Sequence, residues 1–222
     1  LYQNSSSEFL APGEVFFPRF LEELQKAQKY IYIEFFILAE GKMWSSIYEI
    51  LERKAREGVE IKVIFDDFGS IKRQNRSFIK RLRRRGIQVA VFNKIRPSLD
   101  VFMNNRNHRK IVVIDGKVAV TGGINIGDEY INKINRFGYW MDCAVIIKGD
   151  AVKSFLAMFC SMWEFTTKKS IDMLSHISDE KALDRGFMLP YSDDPLSNKN
   201  HGEGIYMQIL NSAQRYVYIT TP

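Results

Sequence analysis

Residues 107–125 read Asn107-His108-Arg109-Lys110-Ile111-Val112-Val113-Ile114-Asp115-Gly116-Lys117-Val118-Ala119-Val120-Thr121-Gly122-Gly123-Ile124-Asn125. Two β-branched runs flank Asp115-Gly116, a two-residue hairpin signal. A strand has period two, so His108 and Lys110 leave the same face of the first run. The hairpin brings the second run back alongside it. Gly122 and Gly123 let the backbone turn tightly and present Asn125 beside His108 and Lys110. Lys and Asn donate hydrogen bonds to phosphoryl oxygens, and an imidazole can attack phosphorus. Taken singly, these residues are ordinary: a satisfied histidine, a strand-edge charge, a turn amide. Asp115 alone is a turn former with a largely structural role. The weight rests on the whole pattern, His-x-Lys-x4-Asp followed by Gly-Gly-x-Asn.

Outward from this hairpin the chain alternates helix and strand. Glu14 to Gln28 carries Phe17, Phe20, Leu21 and Leu24 at helical spacing, and Tyr30 to Ile37 is β-branched and aromatic. Met43 to Glu57 reads as a helix stopped by Gly58, and Val59 to Phe65 as a buried strand followed by a turn at Asp66-Asp67-Phe68-Gly69-Ser70. A basic helix ends at Gly86, with Asn75 as its cap and Phe78, Ile79 and Leu82 as its apolar face. Strands follow at Ile87 to Phe92 and Cys143 to Ile147, and a helix at Ala151 to Phe165. This alternation predicts an α/β fold, a mixed sheet flanked by helices on both faces. Lys168 to Asp184 reads as a linker or an exposed insertion, and Pro190 to Gly204 as a loop.

The chain repeats itself. Phe20-Leu21-x-x-Leu24-x-x-Ala27-Gln28-Lys29-Tyr30-Ile31-Tyr32-Ile33 returns as Tyr206-Met207-x-x-Leu210-x-x-Ala213-Gln214-Arg215-Tyr216-Val217-Tyr218-Ile219 at a constant offset of 186 positions. Each copy reads as an amphipathic helix feeding a strand. The expected division is a first half, 1–184, carrying the His-Lys-Asp motif, and the opening of a homologous second half, 185–222. The second half's counterpart of His108 then falls beyond Pro222, and the start at Leu1 without Met also suggests a piece of something longer.

Composition sets outer limits. The 222 residues carry 45% hydrophobic and 26% charged side chains, ordinary globular usage that argues against disorder. Two cysteines, Cys143 and Cys160, make neither a disulfide framework nor a four-ligand zinc site. No run reaches the ~18 apolar residues of a membrane span. The net charge is +6, and eight cations with no acid lie between Lys72 and Arg85. Such a segment is either a solvated helix face or a dock for a polyanion, an anionic membrane or a nucleic acid.

His108-x-Lys110-x4-Asp115 resembles the signature of the phospholipase D superfamily. Arg106 to Lys110, Gly122 to Tyr130, Gly138 to Asp142, Phe65 to Ser70 and Tyr216 to Pro222 are similar to bacterial cardiolipin synthases of that type. The resemblance covers the chain apart from 168–184. Family enzymes carry membrane-spanning helices before this region and a second His-Lys-Asp signature after it; neither is present here.

The resemblance implies two halves packed about a pseudo-twofold axis, one histidine forming a phosphohistidine and the other serving as acid and base. The candidate site set is His108, Lys110, Asp115, Asn125 and Asp142. His108 is the implied nucleophile, and Lys110 and Asn125 hold the phosphoryl oxygens. Asp142 stands where the family places a carboxylate behind the histidine. Asp128 and Glu129 are turn and capping groups, and His176 and His201 receive no role. No cofactor and no metal are called for; Asp66-Asp67 reads as a turn rather than a ligand pair. The implied reaction joins two phosphatidylglycerol molecules into cardiolipin with release of glycerol. The basic segment Lys72 to Arg85 would meet the membrane surface, on the cytoplasmic side of a bacterial membrane. Nucleic acid is the weaker partner. The competing readings are a phospholipase D or nuclease of the same superfamily, and a non-catalytic binding module. The isolated chain is expected to be nearly inactive unless the missing half, or homodimerisation pairing two His108 sites, restores it.

Overall fold

The computed structural model describes residues 1–70, 76–95, 106–136, 138–182, 184, 186–193 and 200–219. In chain order the elements are β1 (Ser5–Leu10), α1 (Gly13–Gln25), β2 (Tyr30–Phe35), α2 (Lys42–Arg56), β3 (Glu60–Asp66), α3 (Asp67–Ser70), α4 (Arg76–Arg84), β4 (Gln88–Phe92), β5 (Ile111–Ile114), β6 (Val118–Gly122), β7 (Ala144–Gly149), α5 (Val152–Thr167) and α6 (His201–Ser212). The strands form one sheet in the order β1-β7-β6-β5-β2-β3-β4. β2, β3 and β4 run parallel, joined by helices; β5, β6, β7 and β1 are antiparallel. The mixed sheet and its two helical layers are those expected from the alternation of patterns.

Side-chain alternation divides the core. Ile31, Ile33 and Phe35 of β2, Val63 and Phe65 of β3, and Val112 and Ile114 of β5 pack with Phe20 and Leu24 of α1, Ile47 and Leu51 of α2, and Phe78 and Leu82 of α4. Tyr30, Tyr32, Ile64, Ile111 and Val113 turn the other way, onto Leu156, Phe159 and Trp163 of α5. The predicted apolar face of the basic helix is therefore buried. Its Asn75 cap, with Lys72 and Arg73, lies outside the described residues.

The hairpin between β5 and β6 turns through Asp115 and Gly116, both with positive φ, and closes with Lys117 N–H donating to the Ile114 carbonyl at 2.9 Å. This is the turn whose twist matches that of the strands. The Asp115 carboxylate accepts the backbone N–H groups of Gln28, Lys29 and Tyr30 at 2.7, 2.8 and 2.8 Å. It thus sews the hairpin to the lead-in of β2.

Five segments differ from expectation: the turn read at Asp66 to Ser70 is the short helix α3 from Asp67, the loop read through Gly204 gives way to α6 at His201, and three others depart further. β1 is polar (Ser5-Ser6-Ser7-Glu8) and carries no strand pattern, yet it pairs with β7 along its length. The 168–184 stretch is no bare linker: Ile171, Met173 and Ile177 pack on the tyrosine side of the sheet, and the His176 ring meets Tyr30 edge-on at 4.9 Å. In the second repeat copy the helix is present as α6, but Tyr216–Ile219 join no ladder and stay exposed, whereas Tyr30–Ile33 are buried.

The Tyr30 N–H is buried, and a buried N–H left without an acceptor costs about 1–3 kcal/mol, so Asp115→Ala should lower the unfolding free energy in urea by about that amount. Asp115→Asn, which tolerates positive φ and keeps one acceptor, should cost less.

Candidate functional site

The site lies where β5 begins, beside the C-terminal ends of β2 and β3. His108 and Lys110 precede Ile111 and, two apart in extended chain, share the side of the sheet that Val112 and Ile114 continue. Lys110 is 5% exposed; its Nζ donates to the His108 carbonyl at 2.7 Å and lies 5.7 Å from the centre of the Phe36 ring. Burial pulls its pKa down to about 8, with the Asp142 charge opposing. The His108 imidazole is exposed and meets the edge of Phe36 at 4.8 Å. Its pKa is lowered by desolvation and by the Lys110 charge, against a raising pull from Asp66. An accessible imidazole that stays neutral near pH 7 is a nucleophile in its reactive form.

Asn125 reaches the same end of the sheet because the chain after β2 pairs with it. Leu38 bridges Ile126 in parallel, and Ile126 N–H donates to the Ile37 carbonyl at 3.2 Å. Asn125 Oδ1 accepts the Ile37 N–H at 3.0 Å, and its Nδ2 donates to the Tyr130 hydroxyl at 3.0 Å. These bonds fix the amide's orientation and leave one Nδ2 hydrogen for a ligand.

Two glycines let β7 approach. A Cβ on Gly122, whose φ is +155°, would lie 2.4 Å from the Cys143 carbonyl oxygen, and one on Gly123 would lie 2.2 Å from Asp142 Oδ1. The Asp142 carboxylate accepts from Trp140 Nε1 at 3.2 Å and from the Cys143 N–H at 2.8 Å. It makes no hydrogen bond to His108; its charge acts on Lys110. Asp128, read as a capping group, accepts the Lys42 and Met43 N–H groups and so caps α2 from a distant part of the chain. Asp115 falls outside the site it was grouped with: it ends β5, the strand that His108 and Lys110 begin, and its oxygens are spent on the β2 lead-in.

Sequence reasoning missed two fully buried carboxylates beneath the site. Asp66 accepts from the Phe68, Gly69 and Asn107 N–H groups and pairs with Arg106 at 3.4 Å. Glu34 Oε1 accepts from Arg109 Nε at 2.7 Å and Asn107 Nδ2 at 2.8 Å. The basic pairs flanking His108 were the one signal for them. Among the described residues no cluster of three or more His, Cys, Asp or Glu could hold a metal ion, and no helix is long and apolar enough to cross a membrane.

Residues 20–163 match the family described as cardiolipin synthase, PLD-like domain. An uncharacterised protein of Streptococcus mutans is 44% identical over all of this chain and 48% of its own length. A cardiolipin synthase of Oceanobacillus iheyensis is 33% identical over 99% of this chain and 46% of its own length. The chain thus spans about half the length of the curated relatives it matches. Among solved structures, a phospholipase D family member, Nuc from Salmonella typhimurium, superposes with a TM-score of 0.54 at 18% identity, over 72% of this chain and 95% of that one. The fold is accordingly that of the phospholipase D superfamily, and the chain belongs to the cardiolipin synthase, PLD-like domain family.

Proposed function

We propose that this chain supplies one half of a phosphatidyl-transfer site that makes cardiolipin from two molecules of phosphatidylglycerol. The observation that carries the reading is the pairing of an accessible His108 with a buried Lys110 at one end of the sheet. A ring nitrogen of His108 attacks the phosphorus of the first lipid; the bond from phosphorus to the glycerol headgroup oxygen breaks, and that oxygen takes a proton and leaves as glycerol. The headgroup hydroxyl of the second lipid then attacks the phosphohistidine, gives up its proton, and displaces the histidine nitrogen. Lys110, with two N–H donors beyond its bond to the His108 carbonyl, and Asn125, with one, steady the nonbridging oxygens as negative charge builds. The acid and base role falls to a second histidine from the homologous half or from a second copy of this chain.

The basic helix fits an anionic lipid surface. Ser77, Lys80, Arg81, Arg84 and Arg85 line a shallow outward cavity of about 400 Å³ along α4. Arg81 pairs with Glu40 and Arg85 with Glu52, whereas Lys80 and Arg84 have no carboxylate partner among the described residues. Each cation near an anionic membrane is worth about 1 kcal/mol, so Lys80→Glu with Arg84→Glu should weaken co-sedimentation with phosphatidylglycerol vesicles about tenfold or more. Binding to neutral phosphatidylcholine vesicles should not change.

Product analysis by mass spectrometry tests the reaction. Phosphatidylglycerol micelles are incubated with the chain alone and with the other half of a full-length relative. Cardiolipin that forms with both halves and vanishes with His108→Ala is the expected result. Phosphatidic acid instead would make the activity a hydrolysis, and cleavage of DNA without lipid products would make it a nuclease. The pH profile follows from the two shifts. His108 must be neutral, which requires a pH above its lowered pKa; Lys110 must be charged, which requires a pH below about 8. Activity should therefore rise from the acid side through a midpoint below 6.5 and fall through about 8. The Lys110 side-chain carbon resonances should titrate with the same upper midpoint, and lower still in Asp142→Asn.

A further inference from the structure

The His108 ring is held by no hydrogen bond among the described residues; its recorded ring contact there is the edge contact with Phe36. Its aim is therefore set by its backbone, and that backbone is held from the far side of the sheet. Arg109, between the two site residues, points oppositely and reaches Glu34 Oε1 at 2.7 Å, the Met158 carbonyl of α5 at 3.1 Å and Ser192 Oγ at 3.4 Å. Asn107, on the other side of His108, sends its Nδ2 to the same Glu34 oxygen, and its Oδ1 accepts the Arg109 N–H at 3.2 Å. Glu34 thus grips the residues before and after His108 at one atom.

We propose that Glu34 is a positioning residue that aims His108, acting through Arg109 and Asn107 from the opposite face of the sheet. A purely stabilising role fits the surroundings poorly. Glu34 is wholly buried, and its second oxygen, Oε2, has no hydrogen-bond partner among the described residues. A buried ion pair is weak evidence of stability, since an apolar pair of the same volume usually serves as well. A carboxylate here instead fixes direction: one oxygen accepts two donors that straddle the nucleophile. Near-attack geometry is sensitive to displacements of an ångström, so slack at Arg109 reaches the reacting nitrogen.

This inference rests on the transfer reading for its kinetic consequence but not for its structural one, and the test separates them. The variant is Glu34→Gln, which keeps shape and one acceptor oxygen but removes the charge that holds Arg109. In chain labelled at histidine, the His108 ring resonances should shift and broaden, while the ring resonances of His201 stay in place. In the two-half transfer assay kcat should fall about a hundredfold with KM within about threefold, the split expected when aim rather than lipid binding is lost. If Glu34→Gln fails to fold, Glu34→Gln with Arg109→Met removes both buried charges together and should fold with the same change at His108. A lowered melting temperature with His108 resonances unchanged, in whichever variant folds, would overturn the proposal. If the wild-type halves transfer no lipid, the transfer reading fails, and the histidine resonances still decide the role of Glu34.

Discussion

The Asp115 carboxylate and the three N–H groups it collects from Gln28, Lys29 and Tyr30 tie together parts of the chain 85 to 87 residues apart. That tie sets the register of β5 on β2, with Ile31 opposite Ile114 and Glu34 opposite Ile111. A one-residue slip would turn His108 and Lys110 to the other face and bring Arg109 in their place. The placement of the site therefore follows from a carboxylate at the other end of the strand, which touches none of the chemistry. His108 and Lys110 lie just before β5 and Asp115 just after it, so the signature brackets the strand.

The sheet keeps two populations of charge apart. On one side Lys110 is buried beside an exposed imidazole, and desolvation together with the Lys110 charge lowers the pKa of His108. On the other side Glu34 and Asp66 pair with Arg109 and Arg106, and Asp66 pulls the His108 pKa back upward. The segment Asn107 to Lys110 alternates anchoring and reacting side chains, and alternation along an extended chain is what allows both in four residues. Asp142, brought in by two glycines, moderates Lys110 so that a buried ammonium keeps its proton at neutral pH.

Much of this was legible, for specific reasons. The helices and inner strands follow from periodicity, with ends displaced by one to three residues. The Asp-Gly turn follows from its residues, and Gly122-Gly123 announced a close approach. What escaped was set by distant partners. β1 has the composition of a loop, because an edge strand with one exposed face needs few apolar residues. Glu34 sits in an aromatic run where a lone acid reads as a solvent-facing position; its burial depends on Arg109, which no local pattern connects to it. Asp66 looked like a turn former, and it is one for Phe68 and Gly69, but Asn107 and Arg106 use it as well. The second Tyr-aliphatic-Tyr-Ile run shows the converse: the same residue types that form β2 make no strand when no neighbour supplies a ladder.

The position of β5 also bears on how the chain acquires its shape. The β2–β4 portion is assembled from parallel neighbours joined by helices, and its pairings are close in sequence. β5 must then enter beside β2, and the outermost strand, β1, waits longest: Ser5 Oγ accepts the Ala151 N–H across 146 residues. Such distant closures cost chain entropy before their contacts repay it, so the fold has a high contact order and forms slowly at this edge. During synthesis β1 emerges well before its partner β7 and waits for it. Until the β5–β6 hairpin emerges, the free side of β2 is an open backbone edge, and its aromatic and β-branched residues are the ones most in need of a chaperone.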